Sequence, residues 1–168
     1  MSGGFPLIIP DRTKRVCVKK LLRGGAAAAP FLPMKTSATE PAGAVEDRAA
    51  AYAPHLNPAS CVLLGIGPDG HTASWYAGAI GIEQAMYPAD GAVIAAVDAE
   101  NSPVAGEFRH RMTLTAAPVC SAQSAVLLMF GEDKRSALED ALRGDEKHYP
   151  VRRAIDGLGA RLSIIWAP

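Results

Sequence analysis

The chain has 168 residues, of which 49% are hydrophobic and 20% charged, and these values suit a single globular domain with a core of its own. Lys and Arg total 17 and balance the 17 Asp and Glu, so net charge gives no reason to expect binding to nucleic acid or to an anionic membrane. No apolar run approaches the ~18 residues that a membrane helix needs. A small anionic ligand remains open, because local basic residues can hold one.

Three cysteines stand among apolar neighbours, namely Cys17, Cys61 and Cys120. Their odd number and their spacing argue against a disulfide framework and against a zinc site. We interpret them as small buried apolar side chains. This predicts that no metal is bound and favours a reducing, cytoplasmic location. The first residues also lack the charged and apolar pattern of a secretion signal.

The first third of the chain alternates apolar segments with turn residues. The short apolar run from Phe5 to Ile9 is followed by a helical pattern that Gly24-Gly25 can end. Residues 35–43 are rich in Thr, Ser and Pro, which predicts a surface loop. A second amphipathic helix, with a mostly alanine apolar face, is predicted over 44–53.

The rest of the chain alternates predicted strands with predicted helices. Strands are predicted over 61–66, 93–97, 112–115, 125–130 and 161–166. Runs that are apolar throughout, such as the first and the fourth of these, are typical of strands buried on both faces of a parallel sheet. Helices are predicted over about 133–142 and from Pro150 to Ile155. We therefore predict one α/β domain over 1–168, with three α/β/α layers and a mainly parallel, Rossmann-like sheet.

The segment that can carry chemistry follows the first of those strands and reads Gly65-Ile66-Gly67-Pro68-Asp69-Gly70-His71-Thr72-Ala73-Ser74. Its glycines let the backbone turn sharply and approach a ligand closely. The pattern predicts a strand, a turn and then the start of a helix, which Thr72 or Ser74 would cap. Ligands of open α/β sheets bind at such a place, and backbone N–H groups there favour an anion or a developing oxyanion.

His71 lies inside this turn, two residues after Asp69. Histidine changes its charge near neutral pH, so a neutral imidazole there could accept a proton. Asp69 could orient the ring or bind a backbone N–H. Glycine-rich turns between a strand and a helix are common, and a lone loop histidine is more often structural than catalytic. The residues alone therefore predict only a candidate phosphate or carbonyl site.

The same segment resembles the signature of the 6-phosphogluconolactonases, whose wider superfamily of sugar-phosphate isomerases and deaminases shares a Gly-x-Gly-x-Asp-Gly-His core. Glucosamine-6-phosphate deaminases usually continue with Ile-Ala-Phe-Asn-Glu-Pro, whereas Thr72-Ala73-Ser74 follow the histidine here. Trp75-Tyr76 stand where the lactonases more often have Leu-Phe. Downstream, residues 111–115 resemble the family's Arg-x-Thr-Leu-Thr strand. The resemblance covers most of the chain from about Val16 onward.

The resemblance implies hydrolysis of 6-phosphogluconolactone to 6-phosphogluconate in the oxidative pentose phosphate pathway, without a metal or another cofactor. His71 would be the general base that takes a proton from the attacking water, and it could then protonate the departing ring oxygen. Asp69 would set the position or the tautomer of His71. The binding partner would be a phosphorylated sugar lactone.

The resemblance also implies a set of substrate-binding residues. Backbone N–H groups around Gly67 and Gly70 would be candidates for stabilising the oxyanion, and Thr72 belongs to the same turn. Arg111 would contribute to binding of the phosphate; the alternative is a solvated charge at the end of a strand. His110, its neighbour, could line the same cleft, whereas His55 and His148 are expected at the surface.

The front of the sequence departs from the family pattern. Full-length members begin with a βαβ unit that contains a Ser-Gly-Gly-Ser-Thr-Pro phosphate loop, whereas Ser2-Gly3-Gly4 is followed here by Phe5-Pro6. A strand that ends in Asp-Glu-Arg is also not found. We therefore expect an N-terminally truncated or divergent member. Three hypotheses stay open: an active lactonase, an impaired remnant that at most binds sugar phosphates, and an isomerase or deaminase of the same superfamily.

Overall fold

The computed structural model describes residues 20, 22–28, 32, 34, 44–56, 58–106 and 109–168. The apolar run from Phe5 to Ile9, most of the helical pattern that precedes Gly24 and the loop predicted over 35–43 lie outside these residues. Within them, no helix is long and apolar enough to cross a membrane.

The strands and helices of the described residues follow one another in an α/β order. The strands are β1 (Val62–Leu64), β2 (Ile94–Asp98), β3 (His110–Leu114), β4 (Ala125–Phe130) and β5 (Leu162–Ala167). The helices are α1 (Ala44–Tyr52), α2 (Ile82–Met86), α3 (Ala116–Ser121), α4 (Glu132–Arg143) and α5 (Val151–Leu158). Single turns of 3₁₀ helix lie at Gly24–Ala26, Ala53–His55, Ala89–Gly91 and Gly159–Arg161.

Strands β1, β4 and β5 form a parallel sheet with β4 in the centre. In its register, Val62 of β1 faces Ala125 of β4, which faces Leu162 of β5. Side chains on one face of β1 and β4 are buried in the core, because alternate residues of a strand point to the same side; they are Val62, Leu64, Ala125, Leu127 and Met129. The predicted α/β fold with a mainly parallel sheet is thus confirmed, and the predicted bounds of β4 match the structure.

Strands β2 and β3 form a separate antiparallel ribbon, in which Ala96 faces Met112. Helices α1 and α2 pack against β2. The prediction of these two strands is confirmed to within a few residues. Their pairing was not predicted, because an apolar run of five residues does not indicate which strand will be its neighbour.

Helix α4 shows how local sequence sets an element that covers the sheet. Acidic Glu132 and Asp133 lie in its first turn and Arg143 in its last, so the charges complement the helix dipole. The helix packs against β4 and α5, and it buries the side chains of Ala137, Leu138 and Ala141.

The two cysteines in the described part of the chain are free thiols. Cys120 packs on α5, where a Cβ on Gly157 would collide with its sulfur, and burial raises the pKa of its thiol. Cys61 is exposed, so the prediction of a buried side chain is wrong there. It lies one residue before β1, where the chain has not yet entered the core.

Candidate active site

The glycine-rich segment after β1 forms a closed turn that is held by its own backbone. The N–H of Gly67 donates to the carbonyl of His71 at 2.8 Å, and the N–H of Gly70 donates to the carbonyl of Gly67 at 3.0 Å. The hydroxyl of Thr72, which is only 1% exposed, donates to the carbonyl of Gly65 at 2.8 Å. These bonds fold the segment back on the end of β1 and fix the place of His71.

No helix begins at Thr72 or Ser74, so the predicted cap is wrong. The chain instead makes a bridge between Thr72 and Trp75, and α2 starts only at Ile82, with Gly81 as its N-cap residue. The hydroxyl that was expected to cap a helix is used to close the turn. The site is therefore a loop at the end of a strand, and no helix continues directly from it.

Two other elements hold this loop in place. The indole N–H of Trp75, whose side chain is fully buried, donates to the carbonyl of Leu114 in β3 at 2.8 Å. On the other side, the N–H of Val151, at the start of α5, donates to the carbonyl of Gly70 at 3.0 Å. The loop is thus attached to both the ribbon and the helical layer, which restricts its motion relative to either.

His71 and Asp69 form a hydrogen-bonded pair in the loop. Nδ1 of His71 lies 2.5 Å from Oδ1 of Asp69, and the two side chains are 19% and 33% exposed. An ionised carboxylate can only accept, so Nδ1–H donates this hydrogen bond to Oδ1 of Asp69. When the ring is neutral, Nε2 has a free lone pair. A partly exposed imidazole in this tautomer can accept a proton from a water molecule or a substrate.

Gly67 is required by the position of the histidine ring. A Cβ at this position would collide with Nδ1 and Cε1 of His71 and would lie 2.6 Å from the Asp69 carboxylate. Gly70 has a φ of +76°, which favours glycine, and a Cβ there would lie 2.6 Å from the ring of Tyr149. Both glycines therefore serve the packing of the loop.

The backbone N–H groups of Gly67 and Gly70 are already paired within the turn, at 2.8 Å and 3.0 Å. These two donors serve to close the turn, whereas stabilisation of an oxyanion by backbone N–H groups around Gly67 and Gly70 stays a prediction. The buried hydroxyl of Thr72 is also used inside the turn, since it donates to the carbonyl of Gly65. The structure gives these three residues roles in shaping the site.

An aromatic ring that sequence analysis did not assign to the site joins His71 to Arg111. The ring centroid of Tyr76 lies 4.3 Å from that of His71, with the planes inclined by 37°. The guanidinium carbon of Arg111 lies 5.9 Å from the same Tyr76 centroid. One buried ring therefore contacts both the candidate base and the candidate phosphate-binding residue. The signal available in the sequence was only the aromatic pair Trp75-Tyr76 just after the signature.

Arg111 is not a freely solvated charge at the end of a strand. It is partly buried, and its guanidinium donates to the carbonyl of Ala105 at 2.7 Å. His110 precedes it on β3, and neighbouring residues of a strand point to opposite faces. The side chain of His110 is 73% exposed and lies 3.6 Å from Asp98, so it does not join the His71 group.

The other histidines of the described chain lie at the surface, as predicted. His55 is exposed at the end of a 3₁₀ turn. His148 is also exposed, and its Nδ1 lies 2.8 Å from Oδ1 of Asp145, a bond that lowers the pKa of that carboxyl. This second pair joins the same two atoms, Nδ1 of histidine and Oδ1 of aspartate, as the pair at His71. It lies in the exposed turn between α4 and α5 and can therefore serve as a control for the pair at His71.

Comparison with known proteins places this arrangement in a family. The family model described as glucosamine-6-phosphate isomerases/6-phosphogluconolactonase matches residues 6–164. A 6-phosphogluconolactonase from Mesorhizobium japonicum is 34% identical over 165 residues, which are 97% of this chain and 66% of that protein. One from Xylella fastidiosa is 40% identical over 113 residues, 67% of this chain and 46% of that protein.

Solved structures agree with the fold. A 6-phosphogluconolactonase from Shewanella baltica superposes with a TM-score of 0.81 over 96% of this chain and 68% of that one, at 24% identity. The α/β architecture is thus shared with this solved lactonase structure. The chain belongs to the glucosamine-6-phosphate isomerase/6-phosphogluconolactonase family. It spans about half to two thirds of the length of the curated relatives described above.

Proposed function

We propose that this chain hydrolyses 6-phosphogluconolactone to 6-phosphogluconate, as the names of its relatives suggest. The observation that carries the proposal is the Asp69–His71 pair, which leaves one imidazole nitrogen able to accept a proton. The pair lies in the segment that resembles the lactonase signature, on a loop attached to β3 and α5. This reaction requires a positioned base and an anion-binding group, and the site offers a candidate for each.

His71 acts as the base in this proposal. Its Nε2 takes a proton from water while the water oxygen forms a bond to the lactone carbonyl carbon. The resulting imidazolium keeps its Nδ1–H bond to the Asp69 carboxylate, which stabilises the positive charge. When the intermediate collapses, the bond to the ring oxygen breaks and Nε2 returns the proton to that oxygen. Such proton transfer typically contributes ~10²–10⁴-fold to the rate.

Arg111 is the candidate for the phosphate end of the substrate. A guanidinium forms strong, charge-assisted hydrogen bonds with phosphate oxygens. The guanidinium of Arg111 and the ring of His71 both contact Tyr76, so one substrate could meet His71 with its lactone end and Arg111 with its phosphate end. The proposed reaction uses no cofactor and belongs to the oxidative pentose phosphate pathway, in the cytoplasm.

Proton release from 6-phosphogluconolactone, followed in a pH-stat, tests the function directly. We expect the purified chain to exceed the spontaneous rate and His71→Gln to abolish the excess. His148→Gln is the matched control, since it removes a surface His–Asp pair with the same atoms and should leave the rate unchanged. A folded wild-type chain that does not exceed the spontaneous rate would refute the proposal. Turnover of glucosamine 6-phosphate in its place would favour the isomerase and deaminase branch.

A further inference from the structure

We propose that Tyr76 is a positioning residue, whose ring holds the imidazole of His71 in the plane that its reaction requires and also supports Arg111. The kinetic consequences of this inference rest on the proposed function. Its structural part concerns only the side chains of Tyr76, His71 and Arg111. Tyr76 is 4% exposed and is the aromatic residue that touches His71 in the described chain.

The hydrogen bond to Asp69 is not sufficient to fix His71. A bond at Nδ1 fixes one point of the imidazole, and the ring can still rotate about that point and change the direction of Nε2. An aromatic ring at 4.3 Å restrains the plane itself, because offset or tilted contact at this distance is favourable and a rotated ring would lose it. Together the two contacts set the direction in which Nε2 accepts a proton.

The position of Tyr76 does not depend on His71. Its neighbour Trp75 is fully buried and bonded to the carbonyl of Leu114, and the carbonyl of Tyr76 accepts from the N–H of Ala79 at 3.1 Å. The backbone on both sides of the ring is therefore fixed by other parts of the fold. A side chain held in this way can serve as a support against which the imidazole is placed.

The same ring contacts the guanidinium of Arg111, whose central carbon lies 5.9 Å from its centroid. A cation within about 6 Å of an aromatic centroid is attracted to the ring. Strand β3 carries both Arg111 and the Leu114 carbonyl that anchors Trp75, so the ribbon and the loop are locked in one relative position. Tyr76 thereby fixes the position of His71, the proposed base, relative to Arg111, the proposed anion-binding residue.

The ring of Tyr76, and not its hydroxyl, makes these contacts. The hydroxyl forms no hydrogen bond with any residue that the structure describes, whereas the ring meets both His71 and Arg111. Tyr76→Phe should therefore retain the function of the residue, and Tyr76→Leu, which keeps an apolar side chain but lacks the ring, should remove it.

Kinetics give the first test. Because small displacements of a reacting group can reduce a rate up to ~10²-fold, we expect Tyr76→Leu to lower kcat about 10- to 100-fold and to raise KM several-fold through Arg111. Tyr76→Phe should stay within about twofold of wild type. Tyr87→Leu is the control for losing a ring that contacts an arginine, since Arg153 lies 5.2 Å from the centroid of Tyr87, but Tyr87 is exposed at the surface.

NMR of the histidine rings gives the second test, and it requires no substrate. In wild-type protein we expect His71 as a single Nδ1-protonated tautomer, with ring protons shifted by the current of Tyr76 and with nuclear Overhauser contacts between the two rings. Tyr76→Leu should abolish the shift and average the ring of His71 over several orientations, while the tautomer stays the one that Asp69 sets. Tyr87→Leu should change none of these. Absence of the ring contacts in wild-type protein would overturn the proposal, even if Tyr76→Leu does not fold.

The two tests separate this inference from the proposed function. If the wild-type chain hydrolyses no lactone but the NMR effects are present, the function fails and the positioning of His71 by Tyr76 stands. Unchanged kcat and unchanged His71 signals in folded Tyr76→Leu would overturn the positioning role while the function stands. A loss in Tyr76→Phe as large as that in Tyr76→Leu would also overturn it, because the hydroxyl would then be the acting group.

Discussion

Nδ1 of His71 lies 2.5 Å from Oδ1 of Asp69, and the main-chain N–H of His71 approaches the same oxygen at 3.3 Å. One carboxylate oxygen thus fixes the tautomer of the ring and the conformation of the backbone that carries it. The arrangement is compact, because the two residues are separated by a single glycine. Its chemical importance can be tested by removing the charge of Asp69 while keeping its shape.

Asp69→Asn is expected to lower kcat for lactone hydrolysis about 100-fold, because a neutral amide does not stabilise the imidazolium and can donate to Nδ1, which favours the wrong tautomer. KM should change little, since Asp69 does not contact Arg111. Steady-state kinetics measure both constants. The matched control is Asp145→Asn, which removes the carboxylate of the exposed pair with His148. Equal kcat in the two variants would contradict an orienting role for Asp69.

Gly67→Ala is expected to inactivate the site without unfolding the protein. The added Cβ would collide with the imidazole of His71, so the ring must leave its bond to Asp69. Gly65→Ala is a control in the same loop, because a Cβ there would meet only the carbonyl of Leu128 at 3.9 Å, an ordinary contact. We expect kcat to fall at least about tenfold for Gly67→Ala, as for other displaced reacting groups, and far less for Gly65→Ala. Similar kinetics in both variants would show that the ring accommodates the added carbon.

The parts of the site that could be predicted are those in which local sequence sets local structure. Asp69 and His71 are two residues apart, so their contact needs only the turn that the glycines permit. The apolar run from Ala125 to Phe130 likewise predicted β4 with the bounds that the structure has. In both cases a short window of sequence contains most of the information.

The parts that could not be predicted depend on contacts between distant segments. Tyr76 meets Arg111 because the indole of Trp75 is bonded to Leu114, 39 positions later. Strands β2 and β3 pair with one another and not with the parallel sheet, which their composition does not indicate. The use of the Thr72 hydroxyl inside the turn was missed for a similar reason, since side-chain directions in a loop follow from closure of the backbone.

Thr72→Val tests whether Thr72 shapes the loop or binds substrate. The hydroxyl donates to the carbonyl of Gly65 at 2.8 Å and is buried, so valine would leave that acceptor unpaired. We expect the free energy of unfolding to fall by about 1–3 kcal/mol, measured by urea denaturation. Thr72→Ser, which keeps the hydroxyl, should lose less of the stability. A valine variant with native stability and a raised KM would instead support contact with the substrate.

Tyr87 lies away from the candidate site and makes the stability of the fold depend on pH. Its hydroxyl donates to the carboxylate of Glu146. This hydrogen bond, burial and then the charge of Glu146 raise the pKa of Tyr87 to about 12. The folded state therefore keeps the proton more tightly than the unfolded state, whose tyrosine titrates near 10. The stabilisation is complete below pH ~10 and is lost as the pH rises through the folded value.

We therefore expect the difference in free energy of unfolding between wild type and Tyr87→Phe to be constant below pH about 10 and to diminish as the pH approaches about 12. Comparison with Phe isolates this tyrosine from the other groups that titrate in the same range. In wild-type protein, phenolate absorbance should show one tyrosine that ionises late. Glu146→Gln should move that ionisation toward the ordinary range, because the amide lacks the charge that opposes it. An unchanged titration in Glu146→Gln would show that the charge of the Glu146 carboxylate does not raise the pKa of Tyr87.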